Sequence, residues 1–166
     1  MWLQLLTSKT EAVEGVKKFK ARAEAESGKK LHVLRTDRGG EFTSVEFAAY
    51  CADQGVVRHH IAPYTPQQNG VVERRNQTVV GMTRSMMKAK KMSAEFWGEA
   101  LTTAVFILNR APTKALKGKT PFEAWHGCKP NVSFLRTFGC VGHVKNTKPH
   151  LGKLGRQEHA DGAPGL

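Results

Sequence analysis

Leu31-His32-Val33-Leu34-Arg35-Thr36-Asp37-Arg38-Gly39-Gly40-Glu41-Phe42 is the stretch on which the fold turns. Its opening run reads as a short strand, Gly39-Gly40 supplies the turn, and Asp37 sits where the strand ends. In open α/β sheets ligands gather outside the carboxyl ends of strands, which makes Asp37 a candidate metal ligand. A second carboxylate, Glu73, lies in Pro63-Tyr64-Thr65-Pro66-Gln67-Gln68-Asn69-Gly70-Val71-Val72-Glu73-Arg74-Arg75-Asn76. The intervening residues number 73 − 37 − 1 = 35. One carboxylate at a strand end and one on a helix can converge on a divalent metal, as phosphoryl transfer requires. A two-metal site needs a further carboxylate to bridge the ions. No acidic residue precedes Glu11, and Glu11 itself reads as part of a helix start.

Working outward, residues 1–6 read as a strand, and Ser8 with Glu11 three residues on is a capping-box pattern that opens a helix over 8–26. Ala12, Val16, Phe19 and Ala23 give that helix one apolar stripe, and Ser27-Gly28 ends it. After the strand at 31–35, Thr43 with Glu46 opens a helix over 43–54 with Phe47, Tyr50 and Cys51 inward. Gly55 ends it, and 56–61 forms a strand parallel to the first, the helix being the crossover. Residues 62–70 read as a loop, with Pro63 and Pro66 blocking helix. The next helix, 71–90, buries Val72, Val79, Met82 and Met86. Glu73, Gln77, Val80 and Arg84 share a neighbouring face, and Arg74, Ser85 and Lys88 lie towards solvent. A strongly apolar helix follows over 93–109, then a basic loop with Lys114, Lys117 and Lys119. Thr120-Pro121-Phe122-Glu123 is a complete helix start, and 141–144 reads as a last strand.

Charge is distributed unevenly. The net charge is +12. Residues 1–60 hold 10 basic and 8 acidic side chains, and residues 61–166 hold 16 and 6, so the balance rises from +2 to +10. That bias points to a polyanionic partner for the second half. No 18-residue apolar stretch offers a membrane span, and the first six residues lack both the length and the basic flank of a signal peptide. Three widely spaced cysteines, Cys51, Cys128 and Cys140, suit free thiols in a reducing compartment, nucleus or cytoplasm, rather than secretion. Adjacent His59-His60 point to opposite strand faces and no Cys-x-x-Cys follows, which argues against zinc.

These residues together resemble the integrase core of copia-type LTR retrotransposons, part of the retroviral integrase superfamily with an RNase H-like α/β fold. Arg35-Thr36-Asp37-Arg38-Gly39-Gly40-Glu41-Phe42 matches the family's second-aspartate motif, and Tyr64-Thr65-Pro66-Gln67-Gln68-Asn69-Gly70 with Val71-Val72-Glu73-Arg74 matches its glutamate motif. Phe96-Trp97-Gly98-Glu99-Ala100, Leu108-Asn109-Arg110, Thr120-Pro121-Phe122-Glu123-Ala124-Trp125 and Phe138-Gly139-Cys140 match downstream blocks, so the resemblance spans residues 1–153.

The resemblance implies a polynucleotidyl transferase that binds two Mg²⁺ or Mn²⁺ ions about 4 Å apart and carries out 3′-end processing and strand transfer of DNA. It implies Asp37 and Glu73 as catalytic and metal-binding residues, and Tyr64 and Gln68 as DNA contacts in a mobile loop. Arg74, Arg75, Arg84 and Lys88 are the accompanying candidates for phosphate contacts, with largely sequence-independent DNA and further copies of the chain as partners. The family's first aspartate belongs to a strand ahead of the region matched here. Residues 1–6 align with the third strand of a 3-2-1-4-5 sheet, so the first two strands are expected to be missing. The 166 residues are therefore expected to bind metal weakly and to be inactive alone. Residues 1–92 read as a partial catalytic core, 93–153 as a helical extension, and 154–166 as a disordered tail from a frameshift. A non-catalytic nucleic-acid-binding remnant and a decayed reading frame are the competing expectations.

Overall fold

In the computed structural model, residues 1–36, 39–60 and 66–143 are described, with only the backbone for 66–69. The chain divides into two compact units, Met1–Thr78 and Val79–Leu166.

The first unit is built on a parallel pair of strands, β1 (Val33–Thr36) and β2 (Val57–His60), in register Val33↔Val57 through Thr36↔His60. Helix α3 (Val45–Asp53) makes the crossover between them, as the alternation of patterns requires. Phe47 and Cys51 from α3 and Val56 at the entry to β2 form the buried core, at 1%, 2% and 7% exposure. Val13 and Val16 of α1 (Ala12–Ser27), with Leu31, Leu34, Phe42 and Tyr50, pack against them. Phe47 lies between two rings, 5.7 Å from Phe42 and 6.3 Å from Tyr50. Strand β1 starts two residues later than the apolar run suggests, because the Leu31 N–H donates to Glu24 Oε1 (2.8 Å) instead of entering a ladder.

Four helix starts depart from the sequence expectation, the last being the helix expected from 93, which begins at Trp97 after a 3-10 turn. The Ser8–Glu11 capping box does not form. A 3-10 turn, Lys9–Glu11, precedes α1, and the Glu11 carboxylate accepts from the Thr7 N–H at 3.2 Å. The cap of α3 is Ser44, whose hydroxyl accepts from the Phe47 N–H, because Thr43 is already the end of a short helix α2 (Gly40–Thr43). Helix α4 (Pro66–Ala89) begins five residues before 71, since proline lacks only an N–H that a first turn leaves unpaired anyway. Residues 61–65, the rest of the expected loop and the end of the expected second strand, lie outside the described residues.

Residues 1–6 form no strand. The segment lies against α1 instead. Trp2 meets Phe19 edge-on at 5.7 Å, the Arg22 guanidinium sits 4.6 Å over the Trp2 ring, and Gln4 packs against Gly15. Aromatic and cation–π contacts with one helix replace a ladder for this stretch.

A buried lysine ties the first unit together. Lys20 Nζ donates to Glu24 Oε2 and to Gln54 Oε1, both at 3.0 Å, linking α1 to the end of α3. Glu24 thus holds a lysine with one oxygen and the approach to β1 with the other. The left-handed Gly28 (φ +65) closes α1 between them, its N–H reaching the Glu24 carbonyl.

In the second unit, α4 continues into α5 (Trp97–Arg110) through a 3-10 turn (Ala94–Phe96), and α6 (Pro121–His126) follows. Its buried residues, among those described, are Val79, Thr83, Ala100, Ala104, Val105, Thr120 and Phe138. Val79 is buried as expected, but Val72 is 52% exposed and Thr83, fully buried, takes a core place. The Thr83 hydroxyl is tolerated there because it donates to the Val79 carbonyl at 2.8 Å. The capping box at Thr120 and Glu123 forms in full, with proline in the first turn. Residues 141–143 are not a strand. Residue 144 and the whole tail lie outside the described residues.

The Leu31 N–H, followed by Lys20, lowers the Glu24 carboxyl below its usual value of about 4.5. The folded chain therefore binds fewer protons at Glu24 than the unfolded chain does, so this contribution is full above that value and lost as pH falls through the folded value. Glu24→Gln is expected to lower stability at neutral pH and to flatten the decline below pH about 4.5, read by urea midpoints across pH. Equal acid sensitivity in both proteins would contradict the linkage.

Candidate functional site

Strand β1 runs to Thr36, the last described residue before Asp37 in the sequence. Asp37 and Arg38 themselves lie outside the described residues, as does Tyr64, and Gln68 is described only as a residue of α4. The expectation that the Asp37 and Glu73 carboxylates reach a common metal therefore falls outside the described residues. Among those that are described, no group of three or more His, Cys, Asp or Glu could hold a metal ion.

Glu73 is exposed on the second turn of α4, and residues 71–78 are all exposed. Arg74 folds back along the helix, and a Cβ placed on Gly70 would come within 3.3 Å of its Nη1. Arg75 stands near the chain terminus, where its charge adds to burial in lowering the pKa of the Met1 amino group. Farther along the same helix, Arg84 and Lys88 are exposed. All four cations proposed for phosphate contact thus reach solvent, as a polyanion surface needs. Carboxylate oxygens such as those of Asp37 and Glu73 suit hard Mg²⁺ or Mn²⁺. Cys51 does not compete as a ligand: it is buried, and burial pushes its thiol pKa up.

The sequence reading missed a second cationic feature, at the junction of α5 and α6. The Arg110 guanidinium stacks 3.5 Å from the Phe106 ring centre and 4.9 Å from that of Phe122. Its Nη1 donates to the Phe106 carbonyl at 3.3 Å, while its buried Nε has no hydrogen-bond partner among the described residues. Phe106 and Arg110 are four residues apart on α5, a spacing that could have revealed the pair. Burial lowers the pKa of this arginine.

Comparison with known proteins settles the lineage. No protein-family model matches the chain. Over 154 residues, 93% of its length, it is 41% identical to a retrovirus-related Pol polyprotein from the transposon TNT 1-94 of Nicotiana tabacum. The chain is a homologue of transposon Pol polyproteins. It spans 12% of that relative's length. The fold of this Pol homologue is that of retroviral integrase catalytic cores, RNase H-like. The catalytic core domain of BIV integrase matches with a TM-score of 0.56 at 23% identity, covering 74% of each chain. The HTLV-2 integrase catalytic core domain, solved in complex with magnesium in a trimeric form, matches with a TM-score of 0.52 at 24% identity, covering 71% of this chain and 72% of that one.

Proposed function

We propose that this chain is part of the catalytic core of a copia-type retrotransposon integrase, acting on DNA. One observation carries the reading: the match to the tobacco Pol polyprotein leaves 166 − 154 = 12 residues of this chain unmatched. That is too few to reach Asp37 or Glu73 from either end, so both lie within the matched stretch. Asp37 at the end of β1 and Glu73 on α4 hold a divalent cation in this reading. When bound, that cation supplies charge that eases deprotonation of the attacking oxygen and stabilises the leaving one. Tyr64 and Gln68 position the DNA strand near the reacting phosphate. Arg74, Arg75, Arg84 and Lys88 contact phosphates without reading bases. In this reading residues 1–92 belong to the catalytic part and 93–153 to an extension of it. The free thiols of Cys51, Cys128 and Cys140 fit a site of action inside the cell. No helix among the described residues is long and apolar enough to cross a membrane.

Taken alone, the 166 residues bring two of the three carboxylates such a site uses. Incubated with Mg²⁺ or Mn²⁺ and DNA carrying terminal-repeat ends, they are expected to give neither nicking nor strand transfer. Metal-dependent cleavage abolished by Asp37→Asn would contradict this. DNA binding itself is expected to be sequence-independent and to weaken steeply with salt. The double variant Arg74→Ala, Arg75→Ala should lower the log–log salt slope by about 1.8, from roughly 0.9 per phosphate contact, and to the same extent for unrelated duplexes. An unchanged slope, or a loss confined to one sequence, would overturn the assignment of these arginines.

A further inference from the structure

We propose that the α5–α6 corner is a second phosphate-binding surface, able to hold the backbone of duplex DNA through Lys114, Lys117 and Lys119. The inference goes beyond the α4 surface and shares with it only the class of partner. Residues 110–136 hold six basic side chains and one acidic one, Glu123. That single carboxylate is already engaged, accepting from the Thr120 N–H at 2.9 Å in the capping box of α6. Lys119 and Lys129 stand near enough for their charge to help lower the Glu123 pKa, after the Thr120 N–H, the leading cause. With its one carboxylate held in the cap, the segment 110–136 keeps a charge excess of +5.

Geometry holds that excess in a fixed loop. The Thr113 N–H donates to the Lys119 carbonyl (3.2 Å), and the Leu116 and Lys119 N–H groups donate to Thr113 and Leu116 carbonyls (both 3.1 Å). The Lys114, Lys117 and Lys119 side chains are exposed. Lys117 occupies the left-handed region, φ +49 and ψ +47, where glycine or asparagine would sit with less strain. A lysine at that position places its charge on the outside of the turn at a backbone cost. At the base of the loop, the Arg110 stack on Phe106 and Phe122 joins the end of α5 to α6. Clustered like charges on a closed loop repel one another, and a polyanion relieves that repulsion. The duplex backbone fits because it offers a charge every ~1.7 Å along its axis, so the lysines need no fixed register.

The test uses the whole chain and a fluorescein-labelled DNA duplex of arbitrary sequence, with anisotropy followed from low to physiological salt. The variant Lys114→Gln, Lys117→Asn, Lys119→Gln keeps a residue suited to the left-handed turn. It is expected to lower the log–log salt slope by about 2.7, three contacts at roughly 0.9 each. Its loss should add to that of Arg74→Ala, Arg75→Ala. The charge-preserving variant Lys114→Arg, Lys117→Arg, Lys119→Arg should bind as the unaltered chain does, which separates charge from any folding defect. A neutralised loop with unchanged slope and affinity, beside an α4 variant that loses both, would overturn this surface and leave the α4 reading standing. Loss with the loop variant alone would support it and overturn α4. No binding by the unaltered chain at low salt would overturn both.

Discussion

The Glu24 carboxylate sets the geometry of the first unit. One oxygen accepts from Lys20, whose ammonium also holds Gln54 at the end of α3, and the other accepts from the backbone of Leu31. The Lys20 side chain is 9% exposed, so its charge depends on those partners, and a buried cation left without one is strongly unfavourable. Three points are fixed at once: the end of α1, the approach to β1 and the end of the crossover helix. With the start of β1 held, its register to β2 runs from Val33↔Val57 to Thr36↔His60.

In the proposed reading, function in this chain rests on charge more than on a cavity. The exposed stretch 71–78 of α4 carries Glu73 beside Arg74 and Arg75, and the closed loop before α6 carries Lys114, Lys117 and Lys119. Both features favour a linear polyanion over a compact ligand, because phosphates repeat along a duplex and need only rough alignment. In the proposed reading Asp37 and Glu73 would hold a hard divalent cation, which would supply positive charge beside a reacting phosphate.

Much of this was legible in the sequence, and the failures have physical causes. Helix positions and the parallel pair followed from periodicity and turn residues, since apolar spacing records which face must be covered. Capping was legible where proline presets the first turn, at Thr120-Pro121, and not at Ser8, where a 3-10 turn intervenes and Glu11 turns to Thr7. Residues 1–6 carry a strand-like composition, yet Trp2 finds Phe19 and Arg22 on the adjacent helix, a tertiary choice that no local pattern encodes. Val72 lies on the expected apolar stripe of α4 but is exposed, whereas Thr83 is buried through a hydrogen bond to its own helix. Asp37 and Glu73 are paired by motif and spacing alone, and Asp37 lies outside the described residues. The Arg110 stack was legible only in its Phe106 half, four residues back on α5; its Phe122 half depends on α6 folding back over the guanidinium.

Mn²⁺-induced broadening of backbone amide signals in the isotope-labelled chain tests the shared carboxylate site most directly. The account predicts that substoichiometric Mn²⁺ broadens signals beside Asp37 and beside Glu73 together, and that Asp37→Asn removes both effects while the rest of the spectrum stays unchanged. Broadening around one carboxylate only, or broadening near Glu73 that persists in Asp37→Asn, would show that the two residues do not hold a common ion.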